Sequence, residues 1–360
     1  MTKENKKNRQ RLYFMNDKNI HDGLSNFRVK AEHLNEFLLG KGILVPFSAT
    51  KEVMIEIVKT IRFDYYDYVY LSSILEQKDR RDSQSTTEIP AHCERGTINS
   101  AADSVKKICA NEEDDIDLKI TNVGKKTIVD VSYVDVDYNK SPMQQRSPKK
   151  GTIEIDYSSG SEVSIRFPAN DVCKKIKDKL IKEISKSFVN EVKPIEIDFE
   201  HSSPQLRTEF FTRLIGLPDY DVYDVVNVSV RNATGDETGS DVTGQLRKAA
   251  LSGEGLLSSD TYQSLPSEEY NIYKIVWKVR KINGAAGSNQ SDCFLVEARF
   301  DDADKSKGFS YQVKAVQRYN TSRRSLNSTS EKPNKSEADI ITKLLYKTAV
   351  GIYTELVSEE

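Results

Sequence analysis

Histidine and cysteine are scarce in this sequence: four of each occur among 360 residues. His21, His33, His92 and His201 are widely separated and no H-E-x-x-H pairing occurs, so neither a zincin helix nor a compact histidine metal site is expected. Cys93, Cys109, Cys173 and Cys293 form no C-x-x-C pair and have no histidine pair to complete a zinc set. Scattered thiols predict a reducing, cytoplasmic compartment rather than a disulfide framework. His92 and Cys93 are adjacent next to Pro90, but plain loop chemistry outweighs a nucleophile pair there.

Other signatures are missing as well. There is no G-x-x-x-x-G-K-[ST] phosphate loop and no G-x-S-x-G elbow, and the pairs Gly253/Gly255 and Gly284/Gly287 read as turn chemistry. No cofactor is expected. No apolar run approaches the roughly 20 residues of a membrane span, so no membrane partner is expected and the chain reads as soluble. The opening MTKENKKNRQRLYF is basic and polar, without the apolar core of a leader peptide.

Charge, by contrast, is plentiful. Lys and Arg number 53 against 55 Asp and Glu, a net charge of −2, so the distribution of charge carries the information rather than its sum. Residues 1–15 read as a basic arm. Residues 16–95 read as a helical block of three short helices: AEHLNEFLL before Gly40 and Gly42, KEVMIEIVKTI capped by Thr50, and YYDYVYLSSILEQKDR capped by Asp64. In the third helix Asp67 is placed to reach back to the cap. Phe63, Tyr66, Tyr68, Tyr70, Leu71, Ile74 and Leu75 share an apolar arc, which leaves Tyr65, Val69, Ser72 and Glu76 outside it. Its aromatics are therefore mostly core rather than a base-stacking platform, and two acids at its start argue against a DNA recognition helix.

Beyond about residue 115 the apolar period changes from 3.6 to 2. DLKI, TIVDVSYVDVDY, GTIEIDY and SEVSIRF read as strands, the last two as a hairpin through Ser158, Ser159 and Gly160; a long helix over 171–189 follows, then a strand IEIDF at 195–199. A second series has a helix at 202–215, a strand at 222–232, a helical piece within 243–257, three strands ending near residue 318, and a helix over 337–357. The segments 141–150 and 320–337 read as polar loops. The expected fold class is α+β: a helical block, then two halves (96–200 and 201–360), each an antiparallel sheet followed by a long helix.

Parity along the strands gives the sharpest functional signal, because successive side chains point to opposite faces. In the second half Tyr273, Ile275, Trp277, Val279, Phe294, Val296, Ala298, Phe300, Phe309, Tyr311, Val313 and Ala315 face one way. Lys274, Lys278, Arg280, Arg299, Lys314 and Arg318 face the other, with Glu297 the one acid. In the first half the outward residues are Asp130, Glu154, Asp156, Glu196, Asp198 and Glu200 against Arg166, while Ile195 and Ile197 point inward.

A second basic element lies on the helix at 171–189, where Lys175, Lys179, Lys182 and Lys186 form a stripe of about 16 Å. These features predict a non-catalytic nucleic-acid-binding protein or complex subunit that contacts DNA or RNA phosphates through the basic sheet face, helped by the arm and by Arg323 and Arg324. The alternative is an interaction or scaffold subunit that binds other proteins or itself through oppositely charged faces. A metal-dependent nuclease built on Asp224, Glu297 and Arg299 is the weakest reading, because Arg stands where such sites place Lys.

Overall fold

The computed structural model describes residues 16–75, 82–112, 116–188, 193–232, 248–252, 270–282 and 290–359. The basic arm lies outside the described residues. The fold class is α+β, as expected. The chain divides into two compact units, Met1–Arg81 with Ser100–Thr121 and Ile128–Thr152, and Asp82–Asn99 with Asn122–Thr127 and Ile153–Glu360.

In the first unit the helices are α1 (Asp17–Leu24), α2 (Ala31–Gly40), α3 (Lys51–Thr60) and α4 (Tyr65–Leu75). Helix α1 is additional to the three expected; Asn16 caps it by accepting from the Asn19 N–H. The helices share a core that includes Leu24, Leu34, Leu38, Val58 and Leu71. Met143, from a segment expected to be loop, inserts into that core, and its Sδ lies 2.5 Å from where a Cβ on Gly23 would stand. Any side chain at Gly23 would displace it. Segment 141–150 thus holds a short 3-10 turn, Pro142–Gln144, followed by strand residues, rather than open loop.

The start of α4 follows the capping expectation: the Asp67 N–H donates to Asp64 Oδ1 at 2.9 Å and the Asp64 N–H to Asp67 Oδ2 at 3.0 Å. The helix nevertheless turns differently from the expected arc. Tyr66 is 80% exposed and Ser72 is buried with Leu71 and Leu75, while Asp67, which the helical wheel sets within the apolar arc, is buried as that arc places it. Lys41, whose Nζ lies 2.7 Å from Asp67 Oδ2, gives that buried carboxylate a charged partner. Phe37 stacks between Phe63 and Tyr70, with centroids 5.9 and 6.0 Å away. The Tyr65 side chain lies outside the described residues.

The remaining elements are β1 (Gln84–Ile89), α5 (Arg95–Glu112), β2 (Asp117–Val123), β3 (Lys126–Val136), β4 (Arg146–Asp156), β5 (Val163–Pro168), α6 (Asp171–Ser185), α7 (Pro204–Leu214), β6 (Tyr220–Asn232), β7 (Lys248–Ser252), β8 (Tyr270–Lys281), β9 (Cys293–Asp302), β10 (Lys307–Gln317), β11 (Tyr319–Asn320), β12 (Ser325–Leu326) and α8 (Lys335–Glu359). In the second unit the antiparallel order is β4–β5–β1–β10–β9–β8–β6–β7. Strands from before and after residue 200 therefore share one sheet, joined by β1.

Four local expectations change. Residues 248–252, expected within a helical piece, form β7 against β6; the rest of 243–257 lies outside the described residues. Residues 195–199 make one bridge, Ile195 to Glu88, rather than a strand, and Ile195 is 41% exposed. Segment 320–337 carries the β11–β12 hairpin, a bridge from Glu331 to Val316 and the first turn of α8. The bulge between Val313 and Ala315 makes Val316, not Ala315, the buried residue.

One side of this sheet packs on α7 and α8. The core there joins Phe210, Phe211 and Leu214 of α7 to Ile275, Trp277, Val296, Phe300 and Phe309 of the strands and to Ile341, Leu345 and Ala349 of α8. Each such phenylalanine contributes about 1.5–3 kcal/mol by burial. The aromatic rings meet mostly edge to face, as with Phe199 and Phe300 at 5.9 Å. On the other side α6 packs on β5, where Lys177 Nζ sits 5.5 Å from the Phe167 ring centroid.

Candidate nucleic-acid interface

Strands β8, β9 and β10 are direct neighbours, so Lys274, Lys278, Arg280, Arg299 and Lys314 share one face, and Lys274 and Lys314 converge on it. Lys274 pairs in register with Arg299, which pairs with Ser310; Val276 pairs with Glu297, which pairs with Gln312; Lys278 pairs with Leu295. Lys314 stands at the β10 bulge. The face lies opposite the α7 and α8 core, because Ile275, Trp277 and Val279 take the alternate positions and are fully buried.

Glu297 is the centre of this face. Its side chain is only 3% exposed, and it receives Lys314 Nζ at 3.0 Å, Lys274 Nζ at 3.2 Å and Gln312 Nε2 at 2.7 Å. Burial alone would push its pKa up, but the hydrogen bonds of Gln312 and Lys314 and the charge of Lys274 outweigh that and hold it below the ordinary carboxylate value. Two lysines converge on one buried carboxylate, so the cluster retains positive charge at its solvent side. Arg299, two residues along the same strand, has other partners: its Nε meets Asp301 Oδ1 and Ser310 Oγ, both at 3.3 Å.

Asp301 also accepts from Lys174 Nζ at 2.7 Å, which ties the first turn of α6 to the end of β9. Of the lysine stripe on that helix, Lys175, Lys182 and Lys186 are exposed and Lys179 is half-buried; Lys186 pairs with Glu183 at 2.6 Å. Arg318 is withdrawn from the face. It binds Asp292 at 2.8 Å, Glu331 at 2.6 Å and Glu337 at 2.5 Å, which raises its pKa further and clamps the start of α8. Arg323 and Arg324 are exposed in the β11–β12 turn, where Arg324 has φ +52°.

Sequence reasoning missed Tyr223. The bulge between Val222 and Asp224 leaves it as the extra residue of β6, 53% exposed, with the Arg280 guanidinium carbon 4.2 Å from its ring centroid. The sequence holds no clear signal of it, because Val226, Val228 and Val230 alternate regularly and only the strand register reveals the bulge at Tyr223.

The nuclease constellation does not assemble as expected. Such a site needs its Asp and Glu on neighbouring strands, whereas β8 lies between β6, which carries Asp224, and β9, which carries Glu297. The Glu297 oxygens are taken by Lys274, Lys314 and Gln312. Among the described residues no group of three or more His, Cys, Asp or Glu is placed to hold a metal ion.

A second polar cluster occupies the α8 side of the sheet. Glu154 meets Lys126 and accepts from Arg166 at 2.8 Å; Arg166 also reaches Asp339 at 3.1 Å and Thr342 at 3.2 Å, and Lys126 reaches Asp156 at 2.9 Å. Burial opposes the charge of Lys126 and Arg166, but their acidic partners dominate and both pKa values are raised. The expected outward acidic face is thus partly an interior network. It borders a cavity of about 230 Å³ that includes Thr86, Ser164, Tyr311 and Tyr346. Among the described residues, no helix is long and apolar enough to cross a membrane. No protein-family model matches the chain, and no curated protein matches it either.

Proposed function

We propose that this chain is a non-catalytic nucleic-acid-binding protein, or the nucleic-acid-contacting subunit of a complex, and that the β8–β9–β10 face meets phosphates. The observation that carries this reading is the pair of lysines from two strands, Lys274 and Lys314, held side by side by one buried carboxylate, with Lys278, Arg280 and Arg299 on the same face. Cations fixed in this way meet a phosphate backbone without first losing their conformational freedom. In this reading the protein holds the polyanion and breaks no bond.

The test is fluorescence anisotropy with single-stranded DNA, duplex DNA and RNA, with and without Mg²⁺, followed by gel analysis of the recovered strands. Binding that falls with salt, no cleavage, and weaker binding for Lys278→Glu are the expected results. A triple Lys274, Lys278 and Lys314 reversal can disturb the Glu297 cluster, so Lys278→Gln serves as the milder variant. Cleavage in Mg²⁺, or binding indifferent to both changes, overturns the proposal.

One observation favours a protein partner for the first unit. Phe27 and Leu44 are each 83% exposed there, and Phe47 is exposed throughout. Exposed large apolar side chains are what subunit contacts use. In this second reading the chain joins a complex through the helical unit; sedimentation of wild type and Phe47→Ser at high concentration checks it for self-association.

A further inference from the structure

We infer that Tyr223 and Arg280 form a stacking site for an unpaired base, so that the polyanion taken by this face is single-stranded nucleic acid. The inference rests on the proposed function and adds the substrate class to it. The bulge in β6 is the first ground. Val222 pairs with Val279 and Asp224 with Lys278, so Tyr223 is the unpaired residue between them, while Val222 remains packed on the core. A bulge of this kind redirects a side chain that a regular strand would not present.

The second ground is how the arginine is held. Arg280 lies over the ring at 4.2 Å, and its guanidinium also interacts with the Cys293 thiol of the neighbouring strand, so the cation is held over the aromatic face from both sides of β8. The third is position: Lys278 stands two residues along the same strand face, about 7 Å away. An aromatic ring, a planar cation and a phosphate-seeking lysine at that spacing match the needs of a single strand, whose bases can splay out and stack on tyrosine or arginine. Bases in a duplex are stacked on each other and do not reach such a platform.

Anisotropy at one low salt concentration separates the possibilities, using labelled oligothymidylate, labelled oligouridylate and a duplex of the same length. Wild type is expected to bind both single strands more tightly than the duplex. Tyr223→Ala is expected to weaken the single strands about tenfold and leave the duplex nearly unchanged, while Tyr223→Phe keeps wild-type affinity.

A second readout does not depend on losing a side chain. Trp277 is fully buried, so Tyr223→Trp adds an exposed indole whose fluorescence oligothymidylate should quench and the duplex should not. Equal losses on single strand and duplex, no loss in Tyr223→Ala, or no quenching in Tyr223→Trp overturns the inference. If wild type binds and Lys278→Gln weakens it while Tyr223→Ala has no effect, the stacking site alone falls. If wild type binds none of the probes, the proposed function falls and the stacking site with it.

Discussion

Glu154 and Glu297 are both strand carboxylates set among cations in the second unit, and their surroundings differ in one respect. Around Glu154 the charges balance: Lys126 also has Asp156 and Arg166 also has Asp339, and with Lys343 at 3.9 Å three cations meet three acids. Around Glu297 two lysines share one carboxylate, and the remaining hydrogen bond comes from neutral Gln312. The first cluster closes on itself and joins α8 to the sheet. The second keeps uncompensated charge that faces solvent. Burial of an acid therefore does not identify its role, whereas the balance of its partners does.

Removing a member of the closed cluster should have the largest effect on stability. Arg166→Ala leaves Glu154 and Asp339 without their shared partner and should cost about 3 kcal/mol in urea unfolding. Polyanion binding should not change. The open cluster should respond the other way. Glu297→Gln keeps the shape and one hydrogen-bonding oxygen between the lysines but removes the negative charge, so it should cost less stability, and the added net positive charge should tighten oligonucleotide binding severalfold at low salt. Glu154→Gln should leave that affinity unchanged; if both variants tighten binding equally, the contrast between the clusters is wrong.

Acid unfolding sharpens the comparison. The pKa values of Glu154 and Glu297 are both lowered in the fold, so their stabilising contribution is present above the unfolded carboxylate pKa and lost as pH falls through the folded one. Glu88 is the opposite case: burial first, then repulsion from Glu162, raises its pKa, so its contribution favours the fold as pH falls. Thermal unfolding should therefore show the loss from the two clusters below about pH 4. The smallest effect expected is from Glu88→Gln, a gain of about 1–2 °C at pH 7 that disappears in acid.

The sequence reported some of this architecture well. Parity placed Ile275, Trp277, Val279, Val296 and Phe300 in the core and set Lys274, Lys278 and Arg299 on the opposite face, because β8 and β9 pair without a bulge between them. It did not report β1, whose residues QSTTEI have no apolar alternation. That strand is buried between β5 and β10 because its hydroxyls find partners: Ser85 with the Phe309 carbonyl at 2.8 Å, Thr86 with the Tyr311 hydroxyl at 2.6 Å and Thr87 with Glu196 at 2.8 Å. Helix α5 is legible in the sequence, since Ile98, Ala101, Ala102, Val105 and Cys109 recur at helical spacing, and the fold buries all five. The convergence of Lys274 and Lys314 on Glu297 was out of reach, because it depends on strand order and on the β10 bulge.

The most direct test of the central claim is the salt dependence of oligothymidylate binding by wild type and Lys278→Gln. A phosphate-binding face predicts a linear fall of log affinity with log salt, with the slope shallower by about 0.7 when one lysine contact is removed. A flat dependence, or the same slope in both proteins, would contradict it.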